Sequence, residues 1–173
     1  MDTEPADFVL SSRDKLIYVH IKCGTAGKPE SSAGSICEVG SQAIKNIHYL
    51  ISNDKNLQFA NLTRLRNPWP KLGGNKHHIE LDSRIRLFEG TFNINHDIND
   101  VLEKINRRRA SSLVRKEIWI VVGNGFSLNH FKSQFNPSVV KKSQESMQSY
   151  QLIDSWLLQS KSLGIDVKFF VSP

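Results

Sequence analysis

The order of apolar and polar positions near the start of the chain predicts a β-hairpin followed by a helix. Residues 8–10 are an apolar run, and residues 16–23 form a second run that is rich in β-branched and aromatic side chains. A short polar loop separates the two runs, which is typical of two antiparallel strands. From about residue 32 to residue 52, apolar residues recur at steps of three and four, which predicts one helix lying on the sheet. This apolar stripe consists of Ile36, Val39, Ala43, Ile47 and Leu50.

The second half of the chain alternates between helical and strand patterns. Residues 97–109 have a helical period, and residues 118–122 are a near-continuous apolar run, as in a strand that is covered on both faces. A later helical pattern ends at Leu163-Gly164, and residues 167–171 read as a last strand. Because a helix connects these two strands, we expect them to be parallel. Residues 53–95 keep no period for long and give no clear element.

These patterns predict an α/β fold with a mixed central sheet flanked by helices. The length of 173 residues suits one domain, so we take residues 1–173 as a single unit. No apolar run approaches the roughly 18 to 20 residues that span a bilayer. The acidic start of the chain does not match a signal peptide. Cys23 and Cys37 are too few for a disulfide framework. We therefore expect a cytoplasmic protein with free thiols.

The charge balance favours a polyanionic partner. Lysine and arginine number 23 against 17 aspartate and glutamate residues, which gives a net charge of +6. DNA is the partner that we expect from this balance, since Lys and Arg side chains bind phosphates. The cations that we expect to contact nucleic acid are Arg64, Arg66, Lys71, Lys76, Arg107, Arg108 and Arg109. Such runs also occur as solvated faces, or as cations that complement a helix C-terminus, and the sequence leaves this alternative open.

One constellation near the N-terminus predicts chemistry. Asp7 precedes the hairpin, and His20 and Lys22 lie two residues apart on its second strand, so that their side chains point to the same face. A carboxylate and an imidazole bind divalent ions, and a nearby ammonium stabilises charge on a phosphate or orients a water molecule. These groups are what metal-assisted phosphodiester hydrolysis requires. The alternative is that His20 is a hydrogen-bonded core residue, that Asp7 caps a turn and that Lys22 reaches solvent.

This layout resembles the PD-(D/E)xK restriction-endonuclease-like superfamily, in which an acid, a hairpin and an acid-x-Lys strand occur in this order. Asp7 matches the first acid and Lys22 the lysine, whereas His20 stands where the family has Asp or Glu. The resemblance implies that Asp7, His20 and the carbonyl of Ile21 hold Mg²⁺ or Mn²⁺. It also implies that Lys22 positions the attacking water. Gln42 would support the site from the following helix, as in a Gln-xxx-Tyr element.

A narrower resemblance concerns residues 17–50, with their His-x-Lys strand, serine-rich loop and Ser-Gln helix. This stretch resembles the C-terminal part of a sporadically distributed, defence-associated prokaryotic family. It implies upstream domains in a longer parent chain, and a strand over residues 126–134. The resemblance implies a metal-dependent nuclease-like domain that acts on DNA in restriction or anti-phage defence. The alternative is a catalytically degenerate nuclease fold that binds nucleic acid or a partner protein. A homodimer is compatible with either.

Overall fold

A four-stranded mixed sheet forms the centre of the protein. The structure is a computed structural model that describes residues 5–24, 29–52, 85 and 98–173. The strands are β1 (Phe8–Ser11), β2 (Lys15–Ile21), β3 (Arg115–Ser127) and β4 (Ile165–Ser172), in the spatial order β1-β2-β3-β4. β1 runs antiparallel to β2, and β2, β3 and β4 are mutually parallel. The predicted α/β class, the hairpin and the parallel pairing of the last two strands are therefore confirmed.

Five helices are described. They are α1 (Ala33–Lys45), α2 (Ile47–Ile51), α3 (Ile98–Ala110), α4 (Leu128–Gln134) and α5 (Gln144–Ser162). The single helix predicted over residues 32–52 is divided at Asn46, whose backbone leaves helical geometry. Asn46 is buried and donates from Nδ2 to the carbonyl of Pro5, so it joins the helix to the chain that enters β1. Of the described helices, none is long and apolar enough to cross a membrane.

The hydrophobic core lies between one face of the sheet and the helices. The five residues of the predicted apolar stripe are all buried in this core. They pack with alternate residues of the central strands, which are Leu16, Tyr18, Ile118, Ile120 and Val122. The strand period of two and the helix period of 3.6 thus meet in one apolar layer.

Helix α1 crosses α5 at a glycine. A Cβ atom built on Gly40 would lie 2.2 Å from two ring atoms of Trp156, and that indole ring is itself buried. Only a glycine lets the backbone of α1 lie directly against the ring. This contact fixes the position of α1, which carries polar residues towards the end of β2.

The strand that the family resemblance implies over residues 126–134 is wrong. β3 ends at Ser127, and α4 begins at the next residue. The hydroxyl of Ser127 accepts a hydrogen bond from the backbone N–H of His130 at 3.2 Å. This N-cap satisfies one of the free donors at the start of a helix, and it explains why the strand turns into a helix here.

Candidate functional site at the carboxyl edge of the sheet

The residues predicted to carry chemistry lie at one edge of the sheet. The carboxyl ends of parallel strands meet at a common edge, which is where open α/β sheets bind ligands. Because β1 is antiparallel to its neighbour, Asp7 at its start lies at this same edge. The loop after β2 approaches β3 closely, since a Cβ atom on Gly24 would lie 2.2 Å from the Cα atom of Gly125. We call this region the carboxyl edge.

Asp7 is tied to the end of β2 by two hydrogen bonds. Its backbone N–H donates to the carbonyl of Val19 at 3.0 Å, and its Oδ2 atom accepts from the backbone N–H of Ile21 at 2.7 Å. The residue is exposed. The carboxylate is thus held in place against β2 while it remains open to solvent.

His20 lies in the interior beside Asp7. Only 1% of the residue is exposed, and neither Nδ1 nor Nε2 has a hydrogen-bond partner. Burial lowers the pKa of His20, and the charge of Asp7 offsets part of this effect. The imidazole is therefore neutral at neutral pH. The alternative of a hydrogen-bonded core histidine is half right, because the ring is in the core but both of its nitrogens are unsatisfied. Such an orphaned buried group requires an explanation, of which an ion or a water molecule is one.

Lys22 reaches from the end of β2 to helix α1. Its Nζ atom lies 2.7 Å from Oε2 of Glu38, and both side chains are largely exposed. Sequence reasoning missed Glu38. The available signal was its spacing, since Glu38 and Gln42 are four residues apart and share a face of the helix that had to cover the strand. Gln42 is exposed one turn further along α1.

The donor chemistry of Asp7 and His20 fits a divalent ion. In residues 5–24, 29–52, 85 and 98–173, no three His, Cys, Asp or Glu side chains form a group that could hold a metal. Protein ligands would therefore be the Asp7 carboxylate, the neutral His20 imidazole and the Ile21 carbonyl. Mg²⁺ and related ions keep several water ligands and need only one or two carboxylates, so a set of this size is sufficient.

The predicted DNA-contacting cations divide into three groups. Arg64, Arg66, Lys71 and Lys76 lie outside the described residues. Arg107 is exposed, and Arg108 donates from Nη1 to the hydroxyl of Ser11 at 2.6 Å. Arg109 is 1% exposed, and its Nε donates to the carbonyl of Tyr49. Because the Arg109 guanidinium is enclosed by protein, we no longer count it among the phosphate contacts.

Comparison of the chain with protein-family models, with curated proteins and with solved structures finds no match. The geometry of the carboxyl edge and the chemistry of Asp7, His20, Lys22 and Glu38 are therefore what any functional assignment must be built on.

Proposed function

We propose that this chain is a metal-dependent nuclease-like domain that acts on DNA, with the restriction-endonuclease-like fold and the biological setting in restriction or anti-phage defence that its sequence resembles. The observation that carries the proposal is the pairing of a held, exposed carboxylate with an unsatisfied buried imidazole. Asp7 and His20 are neighbours at the carboxyl edge, and Lys22 projects from the same strand end. A phosphodiester hydrolase needs these three kinds of group in one place.

Each residue of the site has a separate role. Asp7, His20 and the Ile21 carbonyl would hold Mg²⁺ or Mn²⁺, and the ion would neutralise phosphate charge and acidify bound water. The N–H of Ile21 is directed at Asp7, and the carbonyl of a strand residue points to the same side as its N–H. Lys22 positions the attacking water. Glu38 orients the Lys22 ammonium.

DNA would lie across the carboxyl edge. Gln42 extends the polar surface of α1 by one turn beyond Glu38, and it supports the site from there. Arg107 and Arg108, on α3, are the described members of the predicted basic runs that have accessible guanidinium groups. Contacts of this type set the position of the DNA but do not read its sequence, and they weaken as salt rises.

The test is nicking of supercoiled plasmid in Mg²⁺ or Mn²⁺ by the wild type, Asp7→Ala, Lys22→Ala and Glu38→Gln. We expect losses of about 10²- to 10⁴-fold for Asp7 and Lys22, as for removal of an acid–base or charge-stabilising group. Glu38→Gln keeps the size of the side chain and should lose less. Lys45→Ala, an exposed lysine at the end of α1, is the matched control. Equal rates for all variants would remove the proposed site.

A second candidate is a non-catalytic relative of such nucleases that binds nucleic acid or a partner protein. The observation that favours it is His20 itself, which places a neutral ligand where a carboxylate would supply most of the charge that a hard cation needs. Titration with Mn²⁺ separates the two functions. If the protein binds DNA but has no Mn²⁺ site of micromolar to millimolar affinity, the non-catalytic function is correct. If it binds neither, a protein-interaction domain remains.

A further inference from the structure

The second face of the sheet combines aromatic and cationic side chains. Ile118, Ile120 and Val122 of β3 point into the core, so Trp119 and Val121 point to the opposite face. The pairing of β3 with β4 places Lys168 beside Trp119 and Phe170 beside Val121 on that face. None of the residues of this face that we name here belongs to the core cluster joined by the described helices. We call it the outer face.

Buried beneath this face is a carboxylate on which three cations converge. Glu117 is 0% exposed, and its oxygens lie 2.8 Å from Nζ of Lys168, 3.5 Å from Nε of Arg115 and 3.6 Å from Nζ of Lys15. The side chains of the three cations are 37% to 58% exposed. Asp166 also binds Arg115, at 2.9 Å. One anion is therefore hidden, and the solvent-facing groups are three cations and one carboxylate.

Two aromatic rings stand beside these cations. The Trp119 indole is fixed because its Nε1–H donates to Oε2 of Glu117 at 2.8 Å. Its ring centroid lies 5.1 Å from that of Phe170, which is 42% exposed, and Lys168 Nζ lies 5.7 Å from the Trp119 ring. A large aromatic side chain left exposed next to cations is unusual for a surface that only faces water.

We propose that the outer face binds single-stranded nucleic acid. Unpaired bases would stack on Phe170 and on the accessible part of Trp119, and Lys15, Arg115 and Lys168 would contact the phosphates. Stacking of this kind tolerates any base, because every base has a π-face, and cations beside the rings follow the backbone. A duplex keeps its bases stacked within the helix and offers only its phosphates. This surface therefore differs in ligand from the carboxyl edge, and it does not depend on the proposed cleavage there.

The charges argue against an apolar protein partner on this face. A protein that covered Phe170 would also bury Lys168 and Arg115, and burying charges costs several kcal/mol for each ion that is not repaired with a partner. Phosphates supply that partner and the bases supply the apolar contact. The mixed composition thus favours a nucleic acid strand.

The experiment is fluorescence anisotropy of the full chain with a labelled 20-nucleotide oligothymidine in EDTA, which prevents cleavage. Phe170→Ala should weaken binding by roughly five- to 150-fold, the range measured for loss of one stacked base. The double change Lys15→Gln with Lys168→Gln should flatten the dependence of log K on log salt by about 0.7 for each lost phosphate contact. Tyr150→Ala and Lys161→Gln, both exposed on α5, are the matched controls and should bind as the wild type.

Thermal melts identify any variant that fails to fold, and the salt slope of the lysine pair then serves as the second test if Phe170→Ala does so. Wild-type affinity in Phe170→Ala, or equal losses in the α5 controls, would overturn the proposal. So would tighter binding of a 20-base-pair duplex than of the single strand. An oligouridine of the same length decides between DNA and RNA as the strand. Lys22→Ala should bind the single strand normally even if it cannot nick plasmid, so failure here and failure of the proposed nuclease are distinguishable.

Discussion

We expect Gly40→Ala to destabilise the protein and Gly34→Ala, on the same helix, to leave it unchanged or stabilise it. Both glycines lie in α1. Alanine is the better helix former by about 1 kcal/mol, so in an isolated helix both changes would be favourable. The difference between them comes from what the new methyl group meets.

The contacts at the two positions set the magnitude. A Cβ atom on Gly40 would lie 2.2 Å from Cη2 and Cζ3 of Trp156, whereas the nearest atom to one on Gly34 is Oγ of Ser32 at 3.7 Å. Carbon atoms pack at about 3.5 to 4.0 Å, so the indole would have to move by more than about 1 Å. Trp156 is 5% exposed and stacks on Phe169. Overpacking of this kind costs about 1–3 kcal/mol, which exceeds the helix gain.

Urea unfolding of the two variants measures the difference. We expect a separation of about 1–3 kcal/mol between them in the free energy of unfolding, with Gly40→Ala the less stable. Trp156 fluorescence should shift in Gly40→Ala alone, because only that change displaces the ring. Equal stability of the two variants would refute the close approach of α1 to α5 and, with it, the placement of Glu38 beside Lys22.

Three further predictions follow from buried charged or titratable groups. Because burial lowers the pKa of His20, the unfolded chain takes up its proton first, so stability should fall as pH drops below about 6.5, by at most about 1.4 kcal/mol per pH unit; His20→Leu should remove this slope in pH-dependent melts. Arg109→Ala should cost about 2–4 kcal/mol while Arg107→Ala costs less than about 0.5, since only the first is enclosed; equal urea midpoints would contradict this. Glu117→Gln should cost about 1–3 kcal/mol at pH 7. Burial opposes ionisation of Glu117, but Lys168 and Trp119 outweigh it and lower its pKa, so the deficit should shrink in melts at pH values below the ordinary glutamate pKa of about 4.3; a constant deficit would argue against the buried ion cluster.

Periodicity predicted the elements whose stability comes from a repeated apolar face. The hairpin, the parallel β3–β4 pair and the buried stripe of α1 and α2 all follow from steps of two or of three and four. Two boundaries did not follow, and each depends on one polar side chain. Asn46 divides the first helix through a contact with a residue 41 positions earlier, and Ser127 starts α4 by capping it. Local propensity does not reveal such contacts.

The site could be predicted only as far as one strand defines it. Alternation along β2 placed His20 and Lys22 on one side, and the hairpin brought Asp7 to the same edge. Glu38 required knowledge of how α1 lies on the strand. Arg109 shows the same limit, because consecutive helical residues point about 100° apart and three adjacent arginines cannot share one surface. Only the packing of α3 determines which of them turns inward.

The charge count at the carboxyl edge explains what a histidine would change there. Asp7 and Glu38 contribute two negative charges, Lys22 one positive charge, and neutral His20 none, so the edge carries a net charge of −1. A carboxylate at position 20 would make it −2 and would repel a phosphate more strongly before any ion arrived. With the imidazole, one divalent ion reverses the sign to +1. The same substitution weakens the hold on a hard ion such as Mg²⁺ and favours Mn²⁺, because imidazole is the softer ligand. A nuclease with this edge should therefore bind DNA without metal and select its ion by softness.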